Sequence, residues 1–129
     1  MILTIRTDKP ESELGLYQDN NQLAYLKWHA HRQLAETIHQ KIQDLLDDNS
    51  FKLEHLSGVV VFEGPGSYTG LRIGFSVGNS LAYGLNIPLI ASGGKNWIEA
   101  GLKKLIKKSA GSYGVPVYGG KINITKQKK

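Results

Sequence analysis

The residues whose types and spacing most suggest chemistry form one block, Gly64-Pro65-Gly66-Ser67-Tyr68-Thr69-Gly70-Leu71-Arg72-Ile73-Gly74. A glycine-rich turn between an apolar run and a helix is a common build for a phosphate cradle, because bare backbone amides can close around an anion. The known cradles do not fit. A Walker A loop needs a Gly-Lys-Ser/Thr ending, and no lysine lies between Lys52 and Lys95. The dinucleotide fingerprint wants three spaced glycines; Gly64 and Gly66 supply two, but Thr69 fills the third slot. Pro65 removes one amide that an anion would use. The nucleophile elbow fails as well, since Ser67 follows Gly66 directly. A plain strand-to-helix turn accounts for the block on chemistry alone.

Acid–base candidates are few. Glu63 closes the apolar run 59–62, at the strand end where open α/β sheets place ligands. A carboxylate there also serves as simple compensation of a helix dipole. His29 and His31 are two apart, and His31 and His39 eight apart; neither pair brackets the glutamate of a zinc-protease helix. Surface and helix-cap roles suit them. The chain has no cysteine, which excludes disulfides, a thiol nucleophile and a thiolate metal site, and suits a reducing compartment. Neither a catalytic residue nor a metal ligand is expected.

The elements around the block follow from periodicity. Residues 58–62 read as a buried strand and residues 69–85 as a helix, with Ser67 and Thr69 both able to cap it. Gly64 and Gly66 permit the sharp corner between them. Along the helix, Gly70, Gly74, Gly78 and Ala82 recur every four residues. Each interior glycine costs about 1 kcal/mol against alanine, so something approaches this strip closely. It can be the sheet beneath, a neighbouring helix or a helix of another protein.

Upstream, residues 1–6, 14–17 and 23–28 read as three strands of an antiparallel meander, turning at 7–10 and 19–21. Residues 31–47 form a helix with Leu34, Ala35, Ile38, Ile42, Leu45 and Leu46 on one face. Residues 89–91 make a fifth strand, and 96–108 a third helix with Trp97, Ile98, Leu102, Leu105 and Ile106 on its apolar side. Residues 115–118 could form an edge strand, the one place its proline is allowed. The pattern predicts an α/β fold with a five-stranded mixed sheet, three strands of meander and two parallel strands. Right-handed crossovers put the first two helices on one face and the third on the other.

At 129 residues and 40% hydrophobic content the chain suits one globular domain, over 1–110, with a tail over 111–129. Its charge of +5 is uneven: residues 1–100 hold eight basic and eleven acidic side chains, residues 101–129 eight lysines and no acid. Such a tail can neutralise nucleic-acid phosphates, with Lys121, Lys126, Lys128 and Lys129 as candidate contacts, or can simply be a solvated end. No apolar run approaches the roughly 20 residues of a membrane span, and a signal peptide's basic flank is missing. No membrane contact and a cytoplasmic location are expected.

The block from Gly64 to Gly74 resembles the signature of the TsaB (YeaZ) family, bacterial proteins needed for the threonylcarbamoyladenosine modification of tRNA. The similarity runs from the first strand to about Ser92. It implies a ribonuclease-H-like domain, the fold shared by sugar kinases, actin and heat-shock ATPases. It also implies that the first two helices bind TsaD, the paralogue that carries the transferase chemistry. The contact set would be His31, Leu34, Ile38, Ile42, Gly70, Arg72, Gly74, Phe75 and Gly78, beside the signature turn Gly64, Pro65, Gly66, Ser67, Tyr68 and Thr69. Assembly with the ATPase TsaE would follow, with tRNA reached through the complex; without TsaD, two copies would pair through the same surface. ATP and metal would sit on partner subunits, none on this chain alone.

The chain departs from that family in two places. Active ATPases of the superfamily place an acid at the end of the first strand, where this chain has Arg6, with Asp8 two residues on. Typical members carry a second domain after the third helix; here Pro116-Val117-Tyr118 resembles their Pro-x-Tyr ending, arriving directly after it. The expected function is a non-catalytic scaffold and activator. The alternatives are a nucleotide-binding ATPase or phosphotransfer domain, and a self-associating structural domain.

Overall fold

The computed structural model describes residues 1–30 and 33–111, with side chains to residue 107. Three strands come first: β1 (Ile2–Arg6), β2 (Glu11–Gln18) and β3 (Asn21–His29). After α1 (Leu34–Asp48) and a short 3-10 turn (Leu53–His55) come β4 (Gly58–Phe62), α2 (Tyr68–Leu85), β5 (Leu89–Ser92) and α3 (Trp97–Gly111). The sheet order is β3-β2-β1-β4-β5. β1, β2 and β3 pair antiparallel, whereas β4 lies parallel to β1 and to β5. This is the mixed sheet that the meander and the two strand–helix repeats predict.

The period-two alternation of the strands divides the core in two. Leu3, Ile5, Leu14, Leu16, Val59, Val61 and Leu89 face α1 and α2. Val60, Phe62 and Ile90 face α3, meeting Trp97, Leu102 and Leu105. β4 is buried at all five positions, as expected of a strand covered on both faces. The connections β3–α1–β4 and β4–α2–β5 run in one direction along the sheet, so right-handedness keeps both helices on one face.

Several boundaries differ from the sequence reading. β2 begins at Glu11, three residues ahead of its first leucine, because Ser12 and Glu13 continue the pairing opposite Trp28 and Lys27. Polar residues hid that extension, yet both are buried. On α3, Ile98 is half-buried and Ile106 is 61% exposed, so the apolar side is narrower than predicted. The predicted edge strand 115–118, His31 and Lys121, Lys126, Lys128 and Lys129 lie outside the described residues.

Candidate functional site

The signature turn sits at the carboxyl end of β4, beside the end of β1. Ser67 is the cap of α2: its Oγ accepts from the Gly70 N–H at 3.5 Å, and its carbonyl accepts from the Leu71 N–H at 2.9 Å. Gly64 has φ of +113°, a conformation only glycine takes without strain. The turn is filled by the chain itself. The Glu63 N–H donates to the Ser92 carbonyl at 2.9 Å, and the Gly94 N–H donates to the Gly64 carbonyl at 3.2 Å. A Cβ on Gly66 would collide with the Asp8 carboxylate. Asp8 therefore packs against the approach to α2, a neighbour that the sequence reading did not name there.

The glycine strip is turned inward. The Thr7 hydroxyl donates to the Gly70 carbonyl at 2.6 Å, tying the first turn of α2 to the end of β1. A Cβ on Gly70 would overlap the Thr7 carbonyl; one on Gly74 would lie 2.5 Å from Thr7 Oγ1, and one on Gly78 2.7 Å from Val61 Cγ2. The close approach is to this chain's own sheet. That corrects the expectation that Gly70, Gly74 and Gly78 present themselves to a partner. The same holds for Leu34, Ile38, Ile42 and Phe75, all core residues at 5% exposure or less. Periodicity marks which residues share a face but not what covers that face.

Among the described residues of the expected contact set, Arg72 is exposed, its guanidinium 5.6 Å from the Tyr68 ring centre. Around it the outer face of α2 carries Thr69, Ser76 and Ser80 between two large side chains, Tyr68 at 73% exposure and Tyr83 at 81%. On α1, Glu36, His39, Gln40 and Gln43 are exposed.

At the end of β1 the superfamily's acid slot is filled differently. The Arg6 Nε donates to Asp8 Oδ1 at 2.8 Å, and its guanidinium carbon lies 3.9 Å from the Phe62 ring centre. The cation is thus neutralised by one neighbour and stacked on another. Beside it, the Tyr25 hydroxyl donates to Glu13 Oε1 at 2.5 Å, while Lys9 Nζ lies 3.5 Å from Glu13 Oε2. Burial, the Glu13 hydrogen bond and the Glu13 charge push the Tyr25 hydroxyl well above its ordinary range. Burial, and then Glu13, also raise Tyr17. A metal–phosphate group arriving here would meet a guanidinium in place of a carboxylate. The sequence reading missed the Tyr25–Glu13 pair; its signal was the alternation that puts Glu13, Gly15, Tyr17 and Tyr25 on one face of the meander.

Comparison with known proteins agrees with this geometry. The family model described as TsaD, tRNA N6-adenosine threonylcarbamoyltransferase, matches residues 28–92, just over half of the chain. The tRNA threonylcarbamoyladenosine biosynthesis protein TsaB of Bacillus subtilis is 35% identical over 94 residues, covering 70% of this chain and 39% of the relative. TsaB of Escherichia coli is 30% identical over 89 residues, covering 69% and 38%. The tRNA N6-adenosine threonylcarbamoyltransferase of Geotalea daltonii is 35% identical over 80 residues, covering 62% and 23%. Among solved structures, YeaZ from Pseudomonas aeruginosa superposes with a TM-score of 0.66 at 26% identity, over 71% of this chain and 43% of that one. The chain spans about two-fifths of the length of the TsaB relatives.

Proposed function

Because this chain belongs to the family of the threonylcarbamoyladenosine proteins, and within it is a TsaB/YeaZ-like member, we propose that it is a non-catalytic subunit of the tRNA-modifying complex, binding the TsaD transferase. The observation that carries the non-catalytic part is Arg6. Its guanidinium occupies the strand end where the superfamily's working ATPases keep an acid, and it is already held by Asp8 and Phe62. ATP and metal then belong to the partner subunits, TsaD and the ATPase TsaE, and tRNA is reached through the assembly. A subunit with that role would work in the cytoplasm.

The contact with TsaD falls on the outer faces of α1 and α2. Two helices that share one face of a sheet can meet a like pair as an intermolecular bundle. The exposed Tyr68, Arg72 and Tyr83 supply large side chains of the kind that anchor interfaces, with Ser76 and Ser80 leaving room between them. In the absence of TsaD a second copy takes the same faces.

The test is association with purified TsaD by calorimetry. Arg72→Glu and Tyr83→Ala should each weaken it, by about tenfold or more if they are anchors, with the thermal midpoint unchanged because both side chains are exposed. Unaltered affinity for the double variant would overturn this assignment of the contact face.

A further inference from the structure

The helices on the two faces of the sheet carry opposite charge. α1, on one face, holds Glu36, Asp44, Asp47 and Asp48 against a single Lys41. α3, on the other face, holds Lys103, Lys104 and Lys107 against a single Glu99 among its described side chains, and all four are exposed. Lys95, also exposed, stands just ahead of the helix. An anion approaching the molecule is repelled on the α1 side and attracted on the α3 side.

The lysines of α3 form one strip. Trp97, Leu102 and Leu105 are buried against the sheet, and at about 100° per residue this turns Lys103, Lys104 and Lys107 outward. These cations are available to a ligand. Lys104 and Lys107 have no ion pair among the described residues. Lys103 lies 3.8 Å from Glu99, in a pair whose side chains are 69% and 67% exposed. A pair so open to water contributes little and exchanges readily for another anion. Helix-dipole compensation does not account for the strip. That effect is confined to the last turn, whereas Lys103 and Lys104 stand well before the end of α3 at Gly111.

We propose that the outer face of α3 binds the phosphodiester backbone of RNA. Lysine is a compact, strongly hydrated point charge, suited to phosphate and depleted in protein–protein interfaces. A membrane surface would require an apolar stripe inserted beside the cations. Ile106 is the one large apolar side chain exposed among the described residues of α3, and Trp97, Leu102 and Leu105 face the sheet. Residues 97–107 contain no arginine, and their one aromatic ring, Trp97, is 4% exposed. Arginines and exposed rings are the groups that read bases or stack on them. The contact is therefore with the backbone and is insensitive to base sequence. Because α3 lies across the sheet from α1 and α2, RNA held there leaves the outer faces of those helices open to TsaD. That the RNA is tRNA rests on the function proposed above; the attraction to phosphate does not.

The experiment follows the binding of a fluorescent tRNA transcript to the full 129-residue chain, alone and together with TsaD, over a series of salt concentrations. Lys103→Glu/Lys104→Glu/Lys107→Glu should weaken binding about tenfold or more at low salt. It should also flatten the slope of log affinity against log salt by about two, because each lost phosphate contact removes about 0.7–0.9 from that slope. The triple Lys→Arg variant at the same positions should bind like the parent. The thermal midpoint and the affinity for TsaD should be unchanged in both, since the side chains are exposed and on the other face. Lys41→Glu/Lys52→Glu, on and after α1, should cost less per charge. Unchanged affinity and slope in the glutamate variant overturn the proposal, as does an equal loss per charge in the Lys41/Lys52 control. A loss that appears only when Lys121, Lys126, Lys128 and Lys129 are replaced overturns it in favour of the tail. Tighter α3-dependent binding to phosphatidylglycerol vesicles than to tRNA overturns it in favour of a membrane surface. Failure to bind TsaD, with α3-dependent RNA binding intact, sinks the subunit reading and leaves this one standing.

Discussion

At the residue scale, the functional meaning of this molecule lies in side chains that satisfy one another. Arg6 is held by Asp8 and Phe62 at the strand end where an acid would manage a metal and phosphate. Tyr25 is held by Glu13 a short distance along the same face. The second pair has a consequence for pH. The folded state raises the Tyr25 hydroxyl above its ordinary range, so folding favours the neutral phenol. That contribution is fully present below the unfolded-state value of about 10 and is lost as pH rises beyond it. An ionised Tyr25 would also face the Glu13 carboxylate. Urea unfolding followed between about pH 8 and 11 should show stability falling above pH 10, and falling less steeply in Tyr25→Phe. Tyr17, which is raised by burial and by Glu13, contributes to the slope that remains. Parallel curves for parent and variant would rule out Tyr25 as the source.

At the scale of elements, α2 is the piece on which sequence and structure diverge most usefully. Its glycines are needed because β1 and β4 lie directly beneath them, and the Thr7–Gly70 hydrogen bond fixes the approach. Gly74→Leu should therefore overpack the helix–sheet contact at a cost of roughly 1–3 kcal/mol. The readout is a lower thermal midpoint, with the TsaD affinity of the folded fraction unchanged. Lost affinity without lost stability would return the strip to the interface. The sequence showed that something comes close to this face, since three glycines in one helix demand it. It could not show what, because a helix buried on a sheet and a helix buried on a partner carry the same spacing. The outer face, with Tyr68, Arg72 and Tyr83, was legible only once the inner one had been placed.

At the scale of the whole molecule, the described fold is one sheet with helices on both faces, and it spans about two-fifths of the TsaB relatives it matches. The superfamily's nucleotide chemistry needs an acid at the end of β1, and here that place is closed by an internal ion pair. Calorimetric titration of the full chain with Mg-ATP should give no measurable binding heat, and phosphate release should not exceed the buffer rate. Micromolar binding with turnover would support the nucleotide-binding alternative and would place the metal on residues other than Arg6. No helix among the described residues is long and apolar enough to cross a membrane.

The sequence by itself determined the order and kind of the elements, the meander followed by two strand–helix repeats, and the family. Those depend on periodicity, turn residues and one long signature block, all of which are local along the chain. It also determined that Arg6 replaces an acid, since that is a matter of residue type at a strand end. Only the tertiary structure decided that Asp8 packs beside the approach to α2, and that Thr7 receives the glycine strip. It alone turned Leu34, Ile38, Ile42 and Phe75 into core, and paired Tyr25 with Glu13 across two strands. These are contacts between residues far apart in sequence. Their geometry is set by strand register, helix placement and crossover handedness, which no local pattern encodes.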